Sequence, residues 1–172
     1  MITKNITKKY VGYSIIEILI YVAILGTISI FSVESIISVF NGFKHLNVVS
    51  QISNNANVSL ELMLRDIRRA SDVDGDVSVF KTNPGVLRLI IDSGYVDYFL
   101  SGNILQRIEN GGSVENITTS TTDVTNLVFF REISESGVSS EIIKIDITIR
   151  SGENRFQKSK KFFGSAVLRG MY

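Results

Sequence analysis

The feature that most constrains this chain is an apolar run close to its N-terminus. Over residues 13–33, 15 of 21 residues are apolar, and Glu17 carries the only formal charge. A helix of about 20 residues rises about 30 Å, which is the thickness of a bilayer hydrocarbon core. The run therefore predicts a helix that spans a membrane.

The basic residues before the run indicate how this helix would be oriented. Residues 1–12 contain Lys4, Lys8 and Lys9 and no acid, which leaves 15 basic and 17 acidic residues in the rest of the chain. Because basic flanks stay on the cytoplasmic side, we expect a cytoplasmic N-terminus and a C-terminal part outside. The overall net charge of +1 gives no sign of nucleic-acid binding.

Composition excludes several kinds of catalytic site. The chain of 172 residues has no Cys, which rules out disulfides, thiol catalysis and Cys-ligated metals. Its single histidine, His45, excludes motifs in which two histidines bind a metal. His45 also follows Lys44 in a predicted helix, which favours a surface position. We therefore expect no enzyme activity and no cofactor.

Three other interpretations of the apolar run are open. An ordinary signal peptide has about 7–15 apolar residues followed by a small-residue cleavage site, and residues 29–35 make a poor site of this kind. A plain signal anchor would keep the helix as a simple tether. A buried core helix of a soluble protein would leave the Lys-rich flank without a role.

The residues at the start of the run resemble a known processing signal. Two lysines precede Gly12-Tyr13-Ser14-Ile15-Ile16-Glu17, which is a glycine, an aromatic residue, a short hydroxylic and apolar stretch, and a glutamate five residues after the glycine. This pattern resembles the class III signal of the type IV prepilin and pseudopilin family. Tyr13 stands where Phe or Met is more common, and Ser14 where Thr is.

A second, weaker resemblance lies further along the chain. The stretch Tyr98-Phe99-Leu100, followed by Leu105-Gln106-Arg107, is similar to a hairpin of minor pilins and pseudopilins of the PilW and GspJ type. It narrows the resemblance to that branch of the family.

The resemblance to prepilins implies how the chain is processed. A prepilin peptidase and methyltransferase would cut between Gly12 and Tyr13 and then methylate the new Tyr13 amine. Residues 1–12 would be a cleaved leader, and the apolar helix would remain. Gly suits the cleavage site because a residue without a side chain lets the backbone lie close to the protease. The other implied partners are further pilin or pseudopilin subunits and the bacterial inner membrane.

Glu17 needs a partner if it enters a membrane, because a charge there is costly. After cleavage the amine of Tyr13 would lie four residues away, which is one helical turn. Two pairings are open. One is with the amine of the same chain, and the other, which the resemblance implies, is with the amine of a neighbouring subunit. The second pairing would set helix register during assembly.

Helical periodicity continues after the apolar run. Apolar residues recur at steps of three and four, which predicts an amphipathic continuation of the helix to residue 71. The stripe comprises Val49, Ile52, Ala56, Leu60, Met63, Ile67 and Ala70, and the opposite face carries Ser50, Asn54, Asn57, Glu61, Arg65 and Arg68. We expect residues 64–70 to form a solvated, charge-balanced helix end. Gly26 and Gly42 are positions where the helix could bend.

Three aspartates after the helix, Asp72, Asp74 and Asp76, resemble the start of a calcium loop. An EF-hand loop needs Gly at position 6 and an acid at position 12. Counted from Asp72, these positions are Val77 and Asn83, so the motif fails. The aspartates are weak candidates for metal ligands, against an acidic turn that ends the helix.

From residue 77 onward the pattern changes to short segments rich in β-branched and aromatic residues. The predicted strands are 77–80, 86–92, 96–100, 104–109, 126–133, 141–150 and 160–169. Ile alternates with polar residues over 143–149, which predicts one buried face. The Ser/Thr/Asn-rich segment 113–125 predicts a surface loop.

Together these patterns predict an α+β fold, and the resemblance implies that it is of the type IV pilin kind. The helix of residues 13–71 has a first part, 13–33, that spans the membrane or forms a filament core, and an amphipathic second part, 34–71. An antiparallel β domain over residues 72–172 packs on the helix stripe.

We expect the function of a structural minor pilin or pseudopilin in a type IV pilus or a type II secretion pseudopilus. The missing Cys favours a minor subunit, because many major pilins carry a C-terminal disulfide. The alternative is a membrane-anchored extracytoplasmic binding module or enzyme with an ordinary signal anchor.

Overall fold

The computed structural model describes Gly12 and residues 14–92, 94–133 and 141–168. The chain divides into two units, Met1–Phe43 and Lys44–Tyr172. One long helix, α1, covers Ile15–Arg69 and contributes residues to both units. Its later part packs against antiparallel sheets in the second unit. The predicted α+β layout of a long N-terminal helix and antiparallel strands is therefore confirmed.

Helix α1 is continuous over 55 residues. Just before it, the carbonyl of Ser14 accepts the amide of Glu17 at 3.0 Å and so closes the first turn. The helix passes through Gly26 and Gly42 without interruption. Since no proline lies within it, every residue after the first turn can donate its amide to the helix.

The second unit contains two antiparallel sheets. Within the described residues, the strand order is β1-β2-β3-β4-β5 in the first sheet and β6-β7-β8 in the second. The first sheet comprises β1 (Asp72–Val73), β2 (Leu87–Ile91), β3 (Gly94–Ser101), β4 (Ile104–Glu109) and β5 (Val114–Asn116). The second comprises β6 (Thr122–Ile133), β7 (Glu141–Ser151) and β8 (Lys158–Val167), with a 3-10 turn at Asn154–Phe156. The sequence predicts the consecutive hairpins but not their division into two sheets.

One predicted strand and one predicted loop differ in the structure. Residues 77–80 do not form a strand, and Val79 makes only an isolated bridge to Val86. The predicted loop 113–125 contains β5 and the start of β6. The other predicted strands each overlap a strand of the structure; Arg169, at the end of the last one, lies outside the described residues.

Part of the predicted surface loop enters the core, because two of its threonines are satisfied inside the fold, whereas β5 stays exposed and forms by pairing with β4. Thr118 and Thr122 are buried. The hydroxyl of Thr118 accepts the amide of Leu105 at 3.0 Å, and that of Thr122 donates to the carbonyl of Thr119 at 3.1 Å. A polar side chain with such partners can enter a core at little cost.

The segment before β2 covers the edge of β6 that does not pair with β7. The amides of Lys81 and Gly85 donate to carbonyls of β6 at 2.9 and 2.8 Å. The side chain of Asn83 accepts the amide of Leu127 at 2.9 Å. Because an open strand edge can pair with other chains, these bonds both protect β6 and join the two sheets.

The core of the second unit is made by α1 and the inner faces of both sheets. The predicted alternation on β7 is confirmed, because its four inward-facing isoleucines are at most 1% exposed. The main members of the cluster are Ile52, Ala56, Met63 and Ile67 from the helix, Leu87 and Leu89 from β2, Leu127 and Phe129 from β6, and Ile143, Ile145, Ile147 and Ile149 from β7.

The predicted helix stripe is correct except at its N-terminal end. Val49 is 38% exposed, and Val48 packs partly against the core instead. All six residues that the sequence places on the opposite face are exposed. Gly164 of β8 lies so close to the helix that an added Cβ would meet Leu60 at 3.1 Å, so helix and strand are in tight contact here.

The C-terminal end of α1 is fixed by a buried carboxylate. Asp66 is 1% exposed. Its Oδ2 accepts the hydroxyl of Tyr98 at 2.7 Å and the Nε of Arg107 at 3.1 Å. Tyr98 on β3 and Arg107 on β4 lie directly opposite each other in the sheet. The hairpin thus holds the helix through one Asp66–Tyr98–Arg107 cluster.

This cluster overturns the expectation of a solvated helix end over 64–70. The exposed arginines there are Arg65, Arg68 and Arg69, whereas Asp66 faces inward. The physical reason is its spacing, because Asp66 lies three residues after Met63 and so shares the buried face of the helix. The number of charged residues in the segment therefore does not show which of them are exposed to solvent.

The cluster also shifts the proton affinity of both its hairpin partners. Burial, and then the hydrogen bond to Asp66, raise the pKa of the Tyr98 phenol well above its usual value. Burial opposes the charge of Arg107, but hydrogen bonds to Glu109 and Asp66 outweigh it and raise the pKa of this guanidinium. The fold therefore favours a neutral tyrosine and a charged arginine at this site.

Removal of the buried carboxylate is expected to destabilise the second unit. Asp66→Ala should lower the free energy of unfolding by about 2 kcal/mol, because it leaves the buried Tyr98 phenol without its partner and removes one carboxylate from Arg107, which keeps Glu109. Urea unfolding of the full chain in detergent micelles, followed by circular dichroism, measures this change. Asp76→Ala removes an exposed aspartate and should leave the stability nearly unchanged. Equal losses in the two variants would contradict the role of Asp66.

Stability should also fall at high pH because of Tyr98. Folding raises the pKa of Tyr98 above the value in the unfolded chain, which is about 10 for Tyr. This shift stabilises the folded state fully when the pH is below about 10, and the stabilisation is lost as the pH rises further. Unfolding free energies should therefore fall above pH ~10 by up to about 1.4 kcal/mol per pH unit from this group. Tyr98→Phe should show a shallower fall over the same range. Identical slopes in both proteins would show that Tyr98 does not carry this effect.

Candidate functional site

The first unit presents a helix surface that is apolar on every side. Over residues 15–43 its large apolar side chains are 51–80% exposed. They include consecutive positions such as Ile18, Leu19 and Ile20, which point in different directions around the helix. This surface is costly in water, and the helix is long and apolar enough to cross a membrane. The helix is therefore a candidate membrane anchor.

Three hydroxyl side chains within this apolar segment are satisfied by the helix itself. The hydroxyls of Thr27, Ser29 and Ser32 each donate to the backbone carbonyl four residues earlier, at 2.8 Å. A hydroxyl bonded in this way needs no water and can face lipid or another helix. These residues are thus compatible with a helix segment that has no contact with water on any side.

Glu17 has a partner that sequence reasoning missed. The hydroxyl of Tyr21 donates to Glu17 Oε1 at 3.0 Å. The two residues are four apart on the helix, which is the spacing that brings side chains together on one face. Glu17 lies in the first turn of α1 and is partly exposed. The spacing of four residues is enough to suggest this pair. The pair was missed because Tyr21 was counted only as an apolar residue.

The other residues of the predicted processing signal fall into two groups. Gly12 is exposed, and no atom lies within 4 Å of where a Cβ would be added. Its backbone is therefore accessible in the described part of the chain. Tyr13 and the leader lysines Lys4, Lys8 and Lys9 lie outside the described residues. Cleavage after Gly12 and methylation of Tyr13 stay predictions.

The weak metal candidates Asp72, Asp74 and Asp76 do not come together as ligands. Among the described residues, no group of three acidic or histidine side chains is arranged to hold a metal ion. Asp74 Oδ1 instead accepts the amides of Asp76 and Val77 at 3.1 and 3.4 Å. Asp72 Oδ1 accepts the amide of the next residue at 2.7 Å. Asp74 thus shapes a turn that follows β1, whereas Asp72 lies in β1 itself, after the end of the helix at Arg69.

Comparison with known proteins gives no relative of this chain. No family model, no curated protein and no solved structure matches it.

Proposed function

We propose that this chain is a structural minor pilin or pseudopilin that is anchored by α1 and assembled through it. The observation that carries the proposal is the signal from Gly12 to Glu17, which leads directly into a helix with an exposed apolar surface. A tether of about 20 residues would be enough to hold a protein in a membrane. The additional features at its start, a glycine and a glutamate five residues apart, are what a simple anchor does not need.

In this proposal a prepilin peptidase and methyltransferase acts at the N-terminal end of the helix. It hydrolyses the peptide bond between Gly12 and Tyr13 and transfers a methyl group to the new amine of Tyr13. The helix stays with the mature protein, whereas an ordinary signal peptidase would remove it. The lysines of the leader hold this site on the cytoplasmic side of the inner membrane.

Glu17 is the residue that we assign to assembly. Its bond to Tyr21 satisfies one carboxylate oxygen but does not neutralise the charge, because a phenol is uncharged at neutral pH. The charge still favours a cationic partner in an apolar environment. The amine of Tyr13 in a neighbouring subunit supplies one, and the pairing sets how far one helix slides along the next.

Assembly then replaces lipid by protein around the same surface. Apolar side chains of α1 lose no hydrophobic contact when they move from lipid to neighbouring helices, since both surroundings are apolar. Close packing and the pairing of Glu17 therefore supply the preference for the filament. The filament is a type IV pilus or a type II secretion pseudopilus.

The mass of the mature N-terminus tests this function. In cells with an active prepilin peptidase, the chain is expected to begin at Tyr13 with one added methyl group. Gly12→Val should leave the precursor uncut, because a branched side chain cannot fit where the backbone must lie close to the protease. Intact-mass and N-terminal peptide spectrometry distinguish these products. An intact Met1 start in the wild-type chain would overturn the proposal and favour a signal anchor.

A matched variant separates processing from assembly. Glu17→Leu keeps the glycine and an apolar helix, so it should still be cut and methylated, yet it should be recovered poorly in sheared filaments. Tyr21→Phe removes only the local hydrogen bond and keeps the charge, so its recovery should stay close to wild type. Normal incorporation of Glu17→Leu would show that the carboxylate does not act in assembly.

A further inference from the structure

Strand β8 lies at the outer edge of the second sheet. It covers Lys158–Val167, and the order β6-β7-β8 places a neighbouring strand on one side of it only. An open strand edge presents a row of amide and carbonyl groups that can pair with another chain. The other edges are covered or short: residues 81–85 cover β6, and β1 and β5 have two and three residues. Within the described residues, β8 is therefore the long edge without a cover.

The register of β8 shows which of its backbone groups face the open side. The amide of Leu168 donates to the carbonyl of Glu141 at 2.8 Å, and these two residues continue the pairing of Val167 with Ile142. Because bonded and non-bonded pairs alternate in an antiparallel ladder, the even-numbered residues of β8 bond β7 and the odd-numbered ones direct their N–H and C=O groups away from it. We call these odd-numbered residues the open row, which comprises Ser159, Lys161, Phe163, Ser165 and Val167. In the described part of the chain, their outward backbone groups have no hydrogen-bond partner.

The side chains of β8 divide the strand into a basic half and a neutral half. The basic half carries Lys158, Lys160 and Lys161, and all three are exposed. Lys161 pairs with Asp146 at 2.7 Å, whereas neither Lys158 nor Lys160 pairs with a carboxylate among the described residues. Residues 162–167 carry no charge. A partner on this edge would therefore meet two unpaired ammonium groups and then an uncharged segment.

The neutral half adjoins an apolar groove on the outer face of the same sheet. Gly164 faces α1, so its neighbours Phe163 and Ser165 face the opposite side. Phe163 is 68% exposed, and it lines with Phe130 a groove of about 510 Å³. A side chain directly opposite Phe163 on an added strand would lie ~5 Å from it. An apolar side chain there would cover ring surface that now faces water.

We propose that the open row of β8 binds an extended segment of another protein as an added antiparallel strand. This segment carries acidic side chains opposite Lys158 and Lys160 and an apolar side chain opposite Phe163. In this mode of recognition main-chain hydrogen bonds supply affinity, and alternate side chains supply specificity. The inference uses only residues of the second unit, so it does not depend on cleavage after Gly12.

The charges favour this occupant over a second copy of the chain. A parallel copy in register would set each lysine of β8 opposite the same lysine, which is unfavourable. An antiparallel copy centred on Phe163 would set Lys160 opposite Ala166 and leave its charge unmatched. Lysines on an edge strand discourage such self-pairing in general. An acidic strand matches the same charges, so the lysines select the partner.

A synthetic peptide tests this pairing with the full chain in detergent micelles. In the peptide Thr-Val-Thr-Val-Ile-Val-Thr-Glu-Thr-Glu, set antiparallel to β8, the isoleucine lies opposite Phe163 and the two glutamates lie opposite Lys160 and Lys158. Anisotropy of a dye on the peptide measures its affinity, and amide hydrogen exchange locates it. Exchange at Phe163 and Ser165 should slow when the peptide binds. A peptide that does not bind, or that leaves exchange at both amides unchanged, would overturn the proposal.

Methylation of the peptide backbone separates strand addition from charge attraction. In this alignment the amides of the third and fifth peptide residues face β8, and those of the fourth and sixth face away. Methyl groups on the third and fifth amides should lower the affinity about tenfold or more, because two hydrogen bonds are lost. The peptide methylated on the fourth and sixth amides is the matched control and should lose much less. Equal losses would show that the main chain of β8 is not the binding site.

Substitutions at Ser165 test the same bonds from the side of the chain. Ser165→Pro removes an amide that has no partner in the described part of the chain, and proline is tolerated on such an edge. Peptide affinity should fall about fivefold, while circular dichroism of the variant stays unchanged. Ser165→Ala keeps the amide and should bind like the wild type. Equal affinity of the two variants would contradict the proposal.

A charge swap tests the chemistry of the partner. The double variant Lys158→Glu and Lys160→Glu should weaken the acidic peptide about tenfold, and a peptide with lysines in place of its glutamates should restore binding. Failure of the second peptide to bind this variant would contradict an acidic partner. Amides of Phe163 and Ser165 that already exchange slowly in the free chain, and faster on dilution, would assign the edge to a second copy instead.

Discussion

The rest of the structure depends on one helix that must satisfy two different surroundings. Over residues 15–43 its side chains are apolar and exposed, while from Ile52 onward one face is buried and the other is polar and exposed. No single solvent suits both parts of the helix. The exposed apolar surface of the first part is costly in water, and the charged residues of the second part are costly in lipid. The helix therefore needs an apolar medium at one end and a folded domain at the other.

The Asp66–Tyr98–Arg107 cluster gives the domain end of the helix a defined position. Apolar contacts alone tolerate sliding of a helix by one turn, since the stripe repeats at that spacing. A buried carboxylate that must meet a phenol and a guanidinium penalises such a slip strongly. The hairpin of β3 and β4 thus specifies where the helix lies on the sheets of the second unit.

The sequence predicts the regular parts of this fold well and the polar interior poorly. The helix stripe and the alternation on β7 follow from periodicity, which a single sequence contains in full. The positions of Asp66 and Thr118 do not, because a polar residue enters a core only when a distant partner meets it. Tyr21 was missed as the partner of Glu17 for a different reason: within an apolar run its hydroxyl was not counted. The helical spacing of four residues would have suggested Tyr21, whereas for Asp66 spacing indicates only the buried face and not the partners, which lie 32 and 41 residues away in the chain.

Cysteine accessibility along α1 shows directly whether its two parts lie in different surroundings. The chain has no Cys, so single cysteines introduced one at a time can be probed with a membrane-impermeant maleimide in lipid vesicles. The account predicts uniformly low reactivity over residues 18–33, and then a helical period in which Asn54, Asn57 and Glu61 positions react while those of Ala56 and Met63 do not. A helical period of reactivity already within residues 18–33 would contradict it, because that pattern belongs to a helix with one face on protein and the other in water.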